Sequence, residues 1–269
     1  MCLILLAWQA HPDYPLVIAA NRDEYFSRPT AAAEFWSDRD PPHPEILAGR
    51  DLQAGGTWLG ISRAGRFAAL TNFRQPENRA TVAPSRGTLV SDFLTGTMTA
   101  QKYLDGLQTR TADYRGFNLL CGTIDDGLWH YANRGPAGEN GHFMQPLTPG
   151  IFGLSNNLLD IPWPKVAQGK SDLAQALTAL PRETPLFELL HDEKHYENDQ
   201  LPRTGISLDW ERTLSAAFVR SPGYGTRSST VVKFDRCGFL SFDEQTWLAN
   251  AEPGNRRRFR FKLAGRGAS

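Results

Sequence analysis

The sequence predicts an α+β fold with antiparallel hairpins rather than a parallel doubly wound sheet. Short apolar runs broken by turn-forming residues lie at both ends of the chain, and the amphipathic segments cluster between them. The first run is the clearest. LILLAWQ, the turn-rich HPDYP and LVIAAN have the spacing of a hairpin with two apolar strands.

The remaining elements follow in order. Residues 25–56 are rich in Pro, Ala, Asp and Gly and lack periodicity, so they read as a long ordered surface loop. TWLGISRAGRFAALTNF reads as two short strands around an Ala64-Gly65 turn. Residues 86–108 carry Leu89, Phe93 and Leu94 at helical spacing and read as one or two helices. FNLLCGTIDDGLWHYAN is a further hairpin, with a type I′ turn predicted at Asp126-Gly127. IFGLSNN is a strand, and residues 163–180 form an amphipathic helix presenting Val166, Leu173, Leu177 and Leu180. PLFELLHDE and DWERTLSAAF are short helices, and STVVKF, GFLSF and RRFRFKL are closing strands. The absence of any linker, repeat or low-complexity stretch predicts one domain over 1–269.

Composition narrows the function. Lys+Arg and Asp+Glu number 29 each, and that balance argues against a nucleic-acid partner. The basic cluster Arg256, Arg257, Arg258, Arg260 and Lys262 alternates with Phe259 and Phe261, the pattern of an edge strand with a solvated basic face. No apolar stretch approaches the roughly 20 residues that span a bilayer. LILLAW is too short for a signal-peptide core and has no basic residue before it, so a cytosolic protein is expected. Cys2, Cys121 and Cys237 are isolated, without a CxxC pair, which predicts neither a disulfide framework nor a zinc site. The oligomeric state is not legible.

The residue with chemical promise is Cys2. A small second residue is the kind that permits removal of Met1, which would leave a thiol and a free α-amine on one residue. The thiol's ordinary pKa is about 8.5 and the amine's about 7.7–8.0. Near neutrality the amine can therefore take the thiol proton, directly or through water, and later return it to a leaving group. The bland alternative is a cysteine that packs at a strand start. AANRDE changes the balance, because the hairpin brings Asn21, Arg22 and Asp23 beside Cys2. A carboxylate there can hold the α-amine, and Arg22 can orient it or lower the thiol pKa.

Cys2, NRDE at Asn21–Glu24, GGTWLG at Gly55–Gly60, TNFR at Thr71–Arg74, GLSNN at Gly153–Asn157 and YGTRSST at Tyr224–Thr230 together resemble the NRDE family, also called the transport and Golgi organisation protein 2 family. The resemblance spans nearly the whole chain. That family is similar to the N-terminal-nucleophile hydrolases, in the cysteine branch of penicillin V acylase and bile salt hydrolase. The relation implies a four-layer αββα sandwich, two mainly antiparallel sheets between helix layers.

It also implies an enzyme that hydrolyses an amide or related acyl bond through an acyl-enzyme. Cys2 then matches the nucleophile and Asp23 the steadying aspartate, with Arg22 beside it. The branch's usual order is Arg-x-x-Asp or similar, whereas Arg22 and Asp23 are adjacent here. Asn72 takes the place of the first oxyanion or substrate asparagine, and Asn156 that of the second, with Asn157 one residue on as the alternative. Arg227 fits the late arginine. Asn21 and Asn157 are the expected substrate contacts, while Glu24 and Arg74 stand outside the set. Losing one oxyanion donor typically costs about 2.7–4 kcal/mol. The expected partner is a small molecule, with no cofactor and no metal. The family resemblance also admits a non-catalytic carrier of haem or acyl-lipid in the same cleft, with Cys2 as a possible axial ligand.

No GxSxG elbow, HExxH helix or GxxxxGK loop is present. His191 and His195, at i, i+4 but among polar residues, read as solvated rather than metal-binding. Trp8, Trp58 and Trp129 read as core. The loop 25–56 and the segment 181–217 are expected to wall the pocket.

Overall fold

The computed structural model describes residues 2–37, 43–76, 83–136 and 140–264. Two seven-stranded sheets face each other, and every strand pair in them is antiparallel. The first sheet holds β1 (Cys2–Trp8), β2 (Leu16–Tyr25), β10 (Gly150–Leu154), β11 (Arg220–Ser221), β12 (Tyr224–Phe234), β13 (Phe239–Trp247) and β14 (Pro253–Lys262). Its order is β10-β1-β2-β12-β13-β14, with β11 beside β12. The second runs β3 (Thr30–Trp36), β4 (His43–Asp51), β5 (Leu59–Ser62), β6 (Arg66–Asn72), β7 (Phe117–Thr123), β8 (Gly127–Arg134) and β9 (Asn140–Pro146) in chain order.

Packing gives four layers. Ile4, Leu6 and Trp8 of β1 pack against Leu59, Ile61 and Phe67 between the sheets. The alternate β1 residues Leu3, Leu5 and Ala7 pack against α3 (Pro164–Leu177) and α4 (Thr184–Leu190). On the far side of the second sheet, α1 (Gly87–Thr95) and α2 (Ala100–Leu107) cover Ala68, Leu119 and Tyr131. The fold is thus the expected αββα sandwich. Burial on both faces explains why LILLAW is continuously apolar instead of alternating.

Several local expectations need correction. Residues 25–56 are not one loop, because β3 and β4 form the edge of the second sheet there. Alanine-rich TAAAEFW has weak intrinsic strand preference; pairing with β4 and burial of Ala33 and Trp36 decide its conformation. The Asp126-Gly127 hairpin has a three-residue loop between the paired Thr123 and Gly127, with Gly127 at φ +88°, rather than a two-residue type I′ turn. The segment DWERTLSAAF is helical only over α5 (Leu208–Thr213); Ala216, Ala217 and Phe218 follow a turn as a bent, buried stretch. β12 begins before STVVKF and takes in Tyr224 to Arg227.

The GGTW segment has a packing reason. A Cβ on Gly56 would lie 2.5 Å from the carbonyl carbon of Gly87, so two backbones touch where α1 begins. Gly56→Ala is expected to destabilise by about 1–3 kcal/mol as an overpacking change. Gly106 in exposed α2 has open space around it, and Gly106→Ala should stabilise by up to about 1 kcal/mol. Urea unfolding of both variants measures the contrast.

Candidate active site

The β1–β2 register pairs Cys2 with Arg22 and Leu3 with Asn21. Cys2 and Arg22 lie on the pleat that faces the second sheet. There they line a cavity of about 470 Å³ together with Asp23, Glu24 and Asn72. The opposite wall comes from Arg28, Thr30, Arg50, Asp51, Thr57 and Trp58, and from the 83–87 segment and Arg115. Segment 181–217 contributes nothing to this lining, contrary to expectation; its Leu186, Leu189, Leu190 and Ala217 pack against the other face of the first sheet. Trp58, expected in the core, lines the cavity.

Cys2 is 7% exposed. Burial pushes its thiol pKa up and the Asp23 charge adds to that, while Arg22 and the Asp23 backbone N–H pull it down. A thiol so raised keeps its proton near neutrality, and sulfur is a strong nucleophile only as the thiolate. Ser155 Oγ donates to the Cys2 carbonyl at 3.1 Å, which fixes the backbone of the first strand residue.

Asp23 is fully enclosed. Thr226 Oγ1 donates to its Oδ1 at 2.8 Å, and Tyr224 donates its hydroxyl to the Asp23 carbonyl at 3.1 Å. Burial raises the carboxyl pKa, opposed by Lys165, the Thr226 hydrogen bond and Arg74. Arg22 donates to Thr30 Oγ1 at 3.1 Å and lies 3.9 Å from Glu24. It is thus anchored toward the second sheet rather than to Asp23. Arg28 pairs with Asp51 at 2.6 Å on the same rim.

The asparagines divide. Asn72 lines the cavity, whereas Asn156 lies behind it and donates Nδ2 to the Asn72 carbonyl at 2.8 Å. Asn157 accepts from Asn118 through its carbonyl and from Leu158 N through Oδ1, and it does not appear in the lining. Asn21, expected to contact substrate, points the other way. Its Nδ2 donates to the Leu190 and Ala217 carbonyls at 2.7 and 2.8 Å, and its Oδ1 accepts from Ser229 at 2.6 Å. It is one residue out of phase with Cys2 and so ties the helix layer to the sheet.

Arg227 sits at a β-bulge, where Thr226 pairs with Asp23 and Ser228 with Arg22. The bulge turns its guanidinium onto the Tyr25 and Arg28 carbonyls, at 2.9 and 3.0 Å, and it lines a neighbouring 170 Å³ pocket instead of the main one. The two pockets share Thr30 and Trp58. No cluster of three or more His, Cys, Asp or Glu suited to a metal occurs among the described residues. His191 stacks on Phe218 rather than pointing to solvent alone. No described helix is long and apolar enough to cross a membrane. Removal of Met1 concerns a residue outside the described set.

Three buried charged groups escaped sequence reasoning, Lys165, Glu211 and Glu244, and Arg74 stands outside the expected set. Arg74 pairs with Glu211 at 2.6 Å, both buried, and stacks over Trp163 at 4.6 Å. Glu244 links the two sheets, with Oε1 accepting from Ala33 N at 2.6 Å. A lysine opening an amphipathic helix is the only signal the sequence offers for Lys165.

The comparisons agree with this architecture. Residues 1–249 match the family model described as Transport and Golgi organisation 2. The chain is 38% identical over 269 residues to the Transport and Golgi organization protein 2 homolog of Homo sapiens, covering 92% of this chain and 94% of that one. It is 37% identical over 271 residues to the Mus musculus homolog, with the same coverage, and 28% identical over 270 residues to the Drosophila melanogaster protein, covering 91% and 92%. Among solved structures it is similar to the Caenorhabditis elegans ortholog of N-acylethanolamine-hydrolyzing acid amidase, with a TM-score of 0.50 and 13% identity over 86% of this chain and 92% of that one. It is also similar to a variant of the conjugated bile acid hydrolase from Clostridium perfringens, at 0.51 and 8% over 99% and 94%. At those identities the likeness is one of fold, the N-terminal-nucleophile hydrolase sandwich.

Glu244 yields a pH prediction. Burial raises its pKa above 4.5, against the Ala33 N–H, Thr230 and Arg22. A carboxyl raised on folding stabilises the native state below its unfolded pKa and loses that contribution as pH rises through the folded value. Glu244→Gln keeps the acceptor and removes the titration. Its stability relative to the parent should therefore grow as pH rises above 4.5, measured by urea midpoints between pH 4 and 8.

Proposed function

The chain belongs to the Transport and Golgi organisation 2 family, and we propose that it is an N-terminal-cysteine hydrolase acting on an amide or related acyl bond of a small molecule. The observation that carries this reading is the position of the Cys2 sulfur, at the wall of a 470 Å³ cavity and opposite Arg22, with the Asp23 amide directed at it.

The chemistry starts after Met1 is removed. The α-amine of Cys2 takes the thiol proton as Sγ attacks the acyl carbon, and the carbonyl π electrons move to oxygen. Asn72, on the cavity wall, supplies donors to that oxyanion, with Asn156 bracing it from behind through the Asn72 carbonyl. The ammonium returns its proton to the departing nitrogen as the C–N bond breaks, leaving a thioester. Water, deprotonated by the same amine, then releases the acid and restores the thiol. Asp23 holds the amine, and Arg22 shapes the wall beside the sulfur. Arg227 acts at one remove by fixing the Tyr25–Arg28 backbone. Asn21 and Asn157 support the frame rather than the substrate. The reaction as proposed calls on no cofactor or metal, and a cytosolic location belongs to the same proposal.

A panel of N-acyl amides and acyl esters tests it. Turnover of at least one member by the parent, reduced about 10³-fold or more in Cys2→Ala and about 10²-fold in Asn72→Ala, is the expected result. Full activity in Cys2→Ala defeats it. No turnover anywhere, with a haem Soret shift abolished in Cys2→Ala, replaces it by a ligand carrier.

A further inference from the structure

We infer that the segment Ser155–Asn157 is the strap that sets Cys2 against Asn72, and that His130 is a positioning residue that locks this strap through Asn118.

Cys2 and Asn72 belong to different sheets, so no strand pairing fixes the gap between them. The apolar layer that holds the sheets together is non-directional, and alone it does not define that gap closely. Directional bonds bridge it at one place. Leu154 pairs with Ile4 at the end of β10, and the next three residues bond to both sheets. Ser155 Oγ donates to the Cys2 carbonyl at 3.1 Å. Asn156 Nδ2 donates to the Asn72 carbonyl at 2.8 Å, and the Asn156 carbonyl accepts from Arg74 N at 2.7 Å. Asn157 offers its carbonyl to Asn118 Nδ2 of β7 at 3.0 Å. Three consecutive residues thus tie the strand of the nucleophile to β6 and β7.

Asn118 is the far anchor, and its orientation is determined. The Asn157 carbonyl can only accept, so the amide nitrogen of Asn118 must face it. The same nitrogen donates to Thr71 Oγ1 at 3.1 Å, which commits both of its protons. Oδ1 is left facing His130 Nε2 at 3.1 Å, a hydrogen bond only if that nitrogen carries the proton. His130 is therefore the neutral Nε2–H tautomer. Its Nδ1 is enclosed and holds no hydrogen bond among the described residues. A second ring proton would be a buried donor without an acceptor, and burial pushes the ring pKa down to about 3. His130 does not line the cavity. Its donor keeps Asn118 from turning its oxygen against the Asn157 carbonyl, and so reaches Asn72 through the strap. The effect on rate rests on the hydrolase reading above; the tautomer and the chain of bonds do not.

NMR of full-length protein labelled with ¹³C and ¹⁵N tests the chain of bonds, with His130 assigned by its loss in His130→Gln. The ring should be the neutral Nε2–H tautomer and remain neutral at pH 5. The Asn72 ¹³C′ resonance should move in His130→Phe and return toward its parental position in His130→Gln, whose amide replaces the donor. The Cys2 ¹³C′ resonance should move in Ser155→Ala. An Nδ1–H tautomer, an imidazolium at pH 5, or carbonyl resonances unmoved in these variants overturns the inference. The rate is read as kcat on an accepted N-acyl amide, or as acylation of Cys2 by a β-lactone. It should fall roughly tenfold in His130→Phe and in Ser155→Ala, with KM within about threefold and recovery in His130→Gln. Parental rates in both folded variants also overturn it. If His130→Phe does not fold, the tautomer and the Cys2 resonance in Ser155→Ala decide. A parent that neither turns over nor is acylated sinks the hydrolase reading alone, because the NMR outcomes need no substrate.

Discussion

The pairing register of the first hairpin is the constraint on which the rest of the molecule depends. Seven consecutive pairs, from Cys2↔Arg22 to Trp8↔Leu16, hold β1 against β2. A slip of one residue would turn Cys2 from the cavity to the helix layer and bring Leu3 to the cavity. The register is protected because both faces of β1 are buried and chemically distinct. Ile4, Leu6 and Trp8 fit the space between the sheets, and Leu3, Leu5 and Ala7 fit beneath α3 and α4. Asn21, bonded to two carbonyls of the helix layer, locks the same phase from the second strand. Its contribution is structural, and it reinforces the phase that the two apolar faces of β1 already set.

Electrostatics then follow from depth. A thiol, a carboxyl and an ammonium brought together in a dry interior all move toward their neutral forms, since desolvation is the first influence on each. Opposite charges restrain that drift at Asp23 and Lys165. The site therefore keeps a proton on sulfur at rest. The rim behaves differently: Arg28 with Asp51 and Arg22 with Glu24 are partly solvated pairs that shape the entrance.

Much of this was legible in the chain. LILLAW, HPDYP and LVIAAN determine the hairpin, and NRDE marks its distal end, so the meeting of Cys2 with Arg22 and Asp23 could be read from local pattern alone. What escaped reading was set by distant contacts. TAAAEFW is a strand because β4 pairs with it. Arg227 leaves the cleft because a bulge re-aims it. Asn156 and Asn157 are adjacent in sequence, and only the fold reveals that Asn156 braces Asn72 while Asn157 ties to Asn118. Lys165 resembles any lysine at the start of a helix until α3 is docked and its side chain is buried. Long-range charge partners leave no local signature.

The central claim is that the processed chain presents a nucleophilic sulfur on its first residue. Intact-mass and peptide-mapping mass spectrometry of the purified protein, before and after exposure to an electrophilic acylating probe such as a β-lactone, tests it most directly. The account predicts a chain that lacks Met1 and gains a single acyl group, mapped to Cys2. A chain that retains Met1, or one whose acyl group maps to Cys121 or Cys237 and spares Cys2, would contradict it.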